Sequence, residues 1–249
     1  QVVPAGSLLW DADTVTAGAQ DGAGTWDATS TSRWFNGSTN QTWGNPASPG
    51  NIARFGAGGT SGTVTLAATM NAGGLYFTQG GYILSGGTLN LSPGTGNTFL
   101  YSTNGGSSTI NSTITSAGGT LITKTGAGTL NLTTGGGGSG SSPAFYTITG
   151  GAFHSTSGTF DSILAMPAAN RLGAQATTPT LVLTLDAGTL QITSATGNAL
   201  AANRKVQINA AGGAISDFGS NNFYEPAMLN NAASGSSLYL SNISGISQF

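Results

Sequence analysis

The chain contains no cysteine, which removes disulfide scaffolds, thiolate metal sites and thiol catalysis from consideration. It has one histidine, His154, so neither a multi-histidine zinc site nor a relay through two imidazoles can be built. Charge is scarce as well. Among 249 residues there are 6 Lys and Arg and 8 Asp and Glu, where an ordinary soluble domain is about 25% charged. Six scattered cations and a net charge of −2 cannot form the stripe that neutralises phosphates, so nucleic acid is excluded as a partner. No apolar run approaches the roughly 20 residues of a membrane-spanning helix, so no membrane span is expected.

Glycine, aromatic and β-branched residues fill the space that charge leaves. The sequence holds 41 Gly, 10 Phe, 6 Tyr and 4 Trp, and 38% of it is hydrophobic. Disordered chains share the low hydrophobicity of glycine-rich segments but lack the aromatic and branched residues needed to offset chain entropy. A single folded, β-rich unit is therefore expected. Its expected organisation is a Trp-rich N-terminal cap with the first coils over 1–60, then a repetitive body over 61–249 that carries a Gly/Ser-rich excursion at 134–143. The opening Gln1-Val2-Val3-Pro4-Ala5-Gly6 has the character of a mature end left after signal-peptide removal.

Strand patterns with period-two alternation recur along the chain, as in Thr63-Val64-Thr65-Leu66, Thr88-Leu89-Asn90-Leu91, Thr129-Leu130-Asn131-Leu132 and Leu181-Val182-Leu183-Thr184-Leu185. The best helical windows, Asp161 to Leu172 and Asn198 to Lys205, span only two or three turns. Most strands open on one short phrase, a glycine turn followed by a small residue and an apolar pair. It appears as Gly73-Gly74-Leu75, Gly86-Gly87-Thr88-Leu89, Gly118-Gly119-Thr120-Leu121, Gly126-Ala127-Gly128-Thr129-Leu130, Gly150-Gly151-Ala152-Phe153, Gly188-Thr189-Leu190 and Gly212-Gly213-Ala214-Ile215. From Leu130 onward its apolar anchors lie 23, 37, 25 and 23 residues apart, the spacing of a solenoid coil with one insertion. Each coil would turn its corners on glycine and pair with the next in parallel. Leu89, Leu91, Leu130 and Leu132 would then stand in apolar ladders, with Thr, Asn and Ser ladders facing water. Stacked charges would repel, which accounts for their scarcity.

The segment Leu121-Ile122-Thr123-Lys124-Thr125-Gly126-Ala127-Gly128-Thr129-Leu130-Asn131-Leu132 resembles the autotransporter-associated β-strand repeat of bacterial secreted passenger domains. Asn170-Arg171-Leu172-Gly173 leading to Asp186-Ala187-Gly188-Thr189-Leu190, and Ala202-Asn203-Arg204 leading to Gly212-Gly213-Ala214-Ile215, resemble the regions that accompany such repeats. Gly24-Thr25-Trp26-Asp27, Ser32-Arg33-Trp34 and Asn51-Ile52-Ala53-Arg54-Phe55-Gly56 resemble the module that opens them. The resemblance implies an all-β, right-handed parallel β-solenoid, export to the bacterial cell surface or beyond, and a structural role without catalytic residues. The membrane barrel that ends such proteins, with its roughly ten-residue alternating strands, is not expected within the residues that follow Gly212.

Chemistry-bearing residues are few. Asp186 and Asp217, with Arg204 and Lys205, are the only candidates for a carbohydrate-cleaving pair, against turn-capping roles. Asp11, Asp13, Asp21 and Asp27 form the one acidic concentration, and a calcium ion near Asp11 and Asp13 competes with Asx turns there. No cofactor and no enzyme activity are expected. His154 is expected on an exposed strand. The Asn-x-Ser/Thr triplets at Asn36, Asn40, Asn90, Asn111, Asn131 and Asn242 are what so Asn- and Thr-rich a chain contains by chance. Trp10, Trp26, Trp34 and Trp43, with Phe35 beside them, suit either a cap that closes the coil stack or a platform for stacking sugar rings.

Both ends look unprotected. Val2, Val3, Leu8 and Leu9 at one end, and Leu238, Leu240, Ile243, Ile246 and Phe249 at the other, are apolar and strand-like, without the charge that blunts an edge. Copies joined head to tail would satisfy both edges and give an open filament. A secreted structural protein that assembles with itself is therefore the first functional expectation, and a surface adhesin fragment that holds glycans through the Trp cluster is the alternative.

Overall fold

A computed structural model describes residues 6–47, 49–94, 97–102, 106–116, 121–132, 152–156, 162–166, 180–192, 204–217, 229–231 and 237–242. Among them every regular element is a strand. The excursion at 134–143 and the Gly118-Gly119 phrase lie outside the described residues.

The strands fall into two sheets. The first contains β1 (Ser7–Trp10), β3 (Trp34–Phe35), β4 (Asn40–Gln41), β5 (Ile52–Phe55), β7 (Gly74–Phe77), β9 (Asn97–Ser102), β12 (Leu121–Thr125), β14 (Ala152–Thr156), β16 (Thr180–Asp186), β18 (Arg204–Ile208) and β20 (Leu229–Asn231). The second contains β2 (Gly24–Trp26), β6 (Thr63–Ala72), β8 (Ile83–Leu91), β10 (Ser107–Ile110), β13 (Thr129–Leu132), β15 (Ser162–Met166), β17 (Gly188–Ile192), β19 (Gly213–Asp217) and β21 (Leu238–Asn242), with β11 (Thr113–Ser116) beside the far half of β8. From β5 onward the strands along each sheet pair in parallel with their neighbours one coil away. The chain is a β-solenoid: it passes from one sheet to the other and returns one rung higher.

The alternation seen in the sequence becomes ladders. In the second sheet Val64, Leu84, Ile110 and Leu132 stand over one another in register, as do Met70, Leu89 and Ile114. All of these are buried, and so are Leu91 and Leu130. The outward ladder is uncharged and linked by its amides. Asn90 Nδ2 donates to Asn71 Oδ1 at 2.8 Å, Thr115 Oγ1 donates to Asn90 Oδ1 at 3.2 Å, and the Asn71 amide donates to Asn45 Oδ1 at 2.6 Å.

Corners need glycine where the coils touch. Gly126 has φ +81, and a Cβ there would overlap the Ser102 carbonyl oxygen, so both backbone and space demand glycine. Gly86-Gly87 does not open a new strand. It bends β8 in the middle, against the register shift of β6 between Leu66 and Thr69, and a Cβ on Gly87 would overlap the Ala68 carbonyl oxygen.

The reading of the glycine phrase needs correction. Phe153 does not stand above Leu130: it lies in the first sheet over Ile122, while the rung above Leu130 is Leu164. The phrase therefore marks strands of both sheets, and its spacing mixes two ladders. Ser162–Met166, inside the first helical window, is strand β15, and Arg204–Ile208 takes the end of the second into β18. Helical periodicity over so few residues yields to the neighbouring strand on either side.

Among the described residues the first strand is not an open edge. β3 runs antiparallel to β1, with Leu9 opposite Phe35 and Trp10 opposite Trp34, and β4 runs antiparallel to β3. β1 also pairs with β5 on its other side. Leu8 and Leu9 thus lie on a strand whose two edges are both filled, so this strand offers no edge to another copy. The sheets end instead on β4, two residues long, and β2, three residues long, and edges this short blunt further pairing. The hairpin turn is set by Asn36, whose Oδ1 accepts the amides of Ser38 and Thr39 at 2.9 Å each, and Asn40 Nδ2 fixes it to the Asp11 carboxylate at 2.6 Å. Phe35→Pro, which interrupts this pairing and leaves Trp34 in place, is expected to lower the melting temperature and to convert a monomer into an associating species by light scattering. Two equally monomeric proteins would contradict the sealing role.

Candidate functional site

The four tryptophans fill the first coils. Trp10, Trp26, Trp34 and Trp43 are all buried. Their rings pack edge to face or tilted, with centroids 4.4 Å apart for Trp34 and Trp43, 4.8 Å for Trp26 and Trp43, and 4.9 Å for Trp26 and Trp34. Phe55 continues the column and stacks on Phe77 at 5.1 Å. Trp10 Nε1 donates to the Gly22 carbonyl and Trp43 Nε1 to the Asn71 carbonyl, both at 3.0 Å. At about 25 cal/mol per Å² over roughly 150–250 Å² each, such a residue contributes on the order of 4–6 kcal/mol, an upper figure. Rings turned inward on all sides leave no indole face for a sugar.

The acidic concentration serves turns. Asp11 Oδ1 accepts the amides of Asp13 and Gln20, each at 3.0 Å. Asp13 Oδ2 accepts from the Thr16 hydroxyl at 2.6 Å and its Oδ1 from the Val15 amide at 2.9 Å, and these two bonds lead in holding its carboxyl below the usual range. Partial burial works to raise the Asp27 carboxyl, but bonds from the Thr31 hydroxyl and the amides of Ser30, Thr31 and Thr29 outweigh it and hold it low. Asp21 ties three places together: its carboxylate accepts the amides of Ala57 and Gly59 and the hydroxyl of buried Tyr82. Burial first, and the Asp21 contact second, push the Tyr82 phenol up. No group of three or more metal-ligating side chains occurs among the described residues.

The register separates the other carboxylates. Asp186 ends β16 in the first sheet and Asp217 ends β19 in the second. Arg204 and Lys205 stand opposite Thr180 and Leu181, at the far end of β16 from Asp186, about 15–20 Å along the strand. Asp186 Oδ1 accepts the Ala211 amide at 3.3 Å. His154 lies on β14, opposite Thr123 and Thr184. Leu238 and Leu240 lie on β21, which pairs with β19. Val2, Val3, Ile243, Ile246 and Phe249 lie outside the described residues.

Sequence reasoning missed two features. The first is the place of Lys124, the lysine of the repeat-like segment. The register sets it in an inward ladder, between Leu100 below and Ser155 above, in line with Leu8, Ala53, Leu75, Leu185 and Ile208. Its side chain is wholly buried. Nζ folds back on the corner that follows, donating to the Gly126 carbonyl at 2.6 Å and also to the Gly128 carbonyl. Burial pulls the amine down to about 7. The second is the outward face of the first sheet, where Phe35, Leu9, Arg54, Tyr76 and Tyr101 follow one another in register. Tyr76 and Tyr101 stack at 5.7 Å and 29°, and Phe99, two residues before Tyr101, is 44% exposed. The sequence Thr98-Phe99-Leu100-Tyr101 is apolar on both faces of a strand, so alternation alone could not say which side turns inward.

The burial of Lys124 sets a pH dependence. Between pH 7 and about 10 the unfolded chain holds a proton on this amine that the folded chain does not, so stability rises with pH across that window. Above about pH 10 the raised phenols of Tyr76 and Tyr82 reverse the trend, because the unfolded chain loses protons first. Chemical denaturation at pH 7 and about pH 9.5 is expected to show this rise in the native chain and not in Lys124→Met. Equal slopes in both would contradict the assignment.

A β-solenoid of stacked parallel strands, its first strand paired on both sides, is thus the class that the structure defines. The chain is 36% identical over 113 residues, 44% of its length, to the adhesin BmaC autotransporter of Brucella suis biovar 1 (strain 1330). The matched part is 3% of that protein, so the chain spans a small fraction of its curated relative. No family model matches the chain, and no solved structure matches it.

Proposed function

We propose that this chain is part of the passenger of a bacterial surface adhesin, in which the solenoid serves as a stiff, extended scaffold outside the cell. One observation carries the proposal: 113 residues at 36% identity to an autotransporter adhesin, on a chain whose own strands stack as a parallel solenoid. The physical design supports an extracellular life. The chain has no cysteine to oxidise, its core is continuous from coil to coil, and the outward ladder of its second sheet carries hydroxyl and amide groups in place of charge. Assembly end to end gains no support, since β1 is paired on both sides. The solenoid acts as an arm that presents a face.

Antibodies raised against the chain are expected to label intact cells of the source bacterium, and the purified chain to bind host-cell monolayers saturably. Label that appears only after lysis would overturn the surface placement. Absence of saturable binding by a correctly folded chain would overturn the adhesive role.

A further inference from the structure

From Phe55 to Phe160 the sequence contains no Asp, Glu or Arg and a single Lys, and that Lys124 is buried. The outward surface of the coils in between therefore carries no formal charge from acidic or basic side chains. Along the first sheet this uncharged stretch begins with aromatic residues. Tyr76 and Tyr101 stack in register. Phe99 is 44% exposed, one alternation away from Tyr101 on the same face. The next rung replaces the aromatics by Thr123 and Thr125, in register with Phe99 and Tyr101. Arg54 bounds the patch on its other side, opposite Tyr76.

We propose that this face, centred on Phe99 and Tyr101, binds an uncharged polysaccharide. The proposal rests on the adhesive role given above and names the class of partner. Anionic polymers are held by Lys and Arg, and their affinity falls steeply with salt; this stretch offers neither residue at its surface. A protein partner generally buries about 800 Å² on each side around several large anchors, whereas here one ring is well exposed and two others largely cover each other. A sugar ring needs less. Its C–H face lies on one aromatic ring, and its hydroxyls bond to neighbouring phenol, hydroxyl and amide groups. Tyr101 and Thr125, register partners on adjacent rungs, place a phenol and a hydroxyl about 4.8 Å apart beside Phe99. The tryptophans, which the sequence offered for this task, are committed to the core.

The test is gel retardation and titration calorimetry of the full chain with three probes: mannan, dextran and heparin. Binding to a neutral polysaccharide is expected, unchanged between about 50 and about 500 mM salt. Phe99→Ala, at a partly exposed site, is expected to weaken it about tenfold, while Thr65→Ala on the outward face of the other sheet leaves it intact. Failure of both mannan and dextran to bind, a preference for heparin, or an unchanged affinity in Phe99→Ala would overturn the proposal. Host-cell binding that persists without any neutral-polysaccharide binding removes this assignment and leaves the adhesive role standing. Polysaccharide binding without attachment to cells does the reverse.

Discussion

Parallel strands one coil apart place each side chain over its register partner at about 4.8 Å, and every choice along this chain is made under that condition. A residue must tolerate what stands above and below it. Leucine over leucine gains contact on both sides, and asparagine over asparagine gains a hydrogen bond, as Asn71 and Asn90 do at 2.8 Å. Carboxylate over carboxylate would repel. The near absence of charge between Arg54 and Asp161 follows from this geometry, and so does the demand for glycine wherever two corners meet closer than a Cβ allows.

The same condition explains which parts of the molecule are legible in the sequence. Thr88-Leu89-Asn90-Leu91 and Thr129-Leu130-Asn131-Leu132 have one apolar and one polar face, so the residues alone say which side turns inward. The glycine phrase locates corners, yet it cannot say to which sheet the next strand belongs, because both sheets start strands the same way. Phe153 and Leu130 therefore read as members of one ladder although they lie in two. The hairpin of Trp34–Phe35 with Asn40–Gln41 is too short to read by alternation, and without it the N-terminal edge looks open. Turn chemistry is more transparent: the aspartates of the first coils cap amides in the way that their spacing suggests.

Lys124 shows what a one-dimensional pattern cannot reveal. In the segment Lys124-Thr125-Gly126-Ala127-Gly128-Thr129-Leu130 a lysine beside two glycines looks like a solvated turn. It stands instead in the inward ladder, with its amine drawn back to the carbonyls of Gly126 and Gly128, which satisfies the buried ammonium within its own corner. The lysine and the glycines form one unit: glycine lets the corner pass close over Ser102 and Tyr101, and lysine ties the two glycine carbonyls of that corner together. The tryptophans of the first coils follow the same logic, with large rings packed on one another and on Phe55 inside the stack.

Function follows from what the ladders leave outside. With the carboxylates of the first coils spent on turns and the tryptophans inside, the described surface offers hydroxyls, amides and an aromatic face, which supports the adhesive arm proposed above. All of this depends on the register between coils, and the chain, having no cysteine of its own, permits a direct measurement. Thr109 and Asn131 are register partners in β10 and β13, and Ile83 stands one rung below Thr109. Mild oxidation of the double variant Thr109→Cys/Asn131→Cys should give an intramolecular disulfide in nearly every molecule, because partners one rung apart lie within bridging distance. Ile83→Cys/Asn131→Cys, two rungs apart at about 9.6 Å, should give none. Efficient closure of the second pair, or failure of the first in a folded protein, would contradict the stacked register on which the account rests.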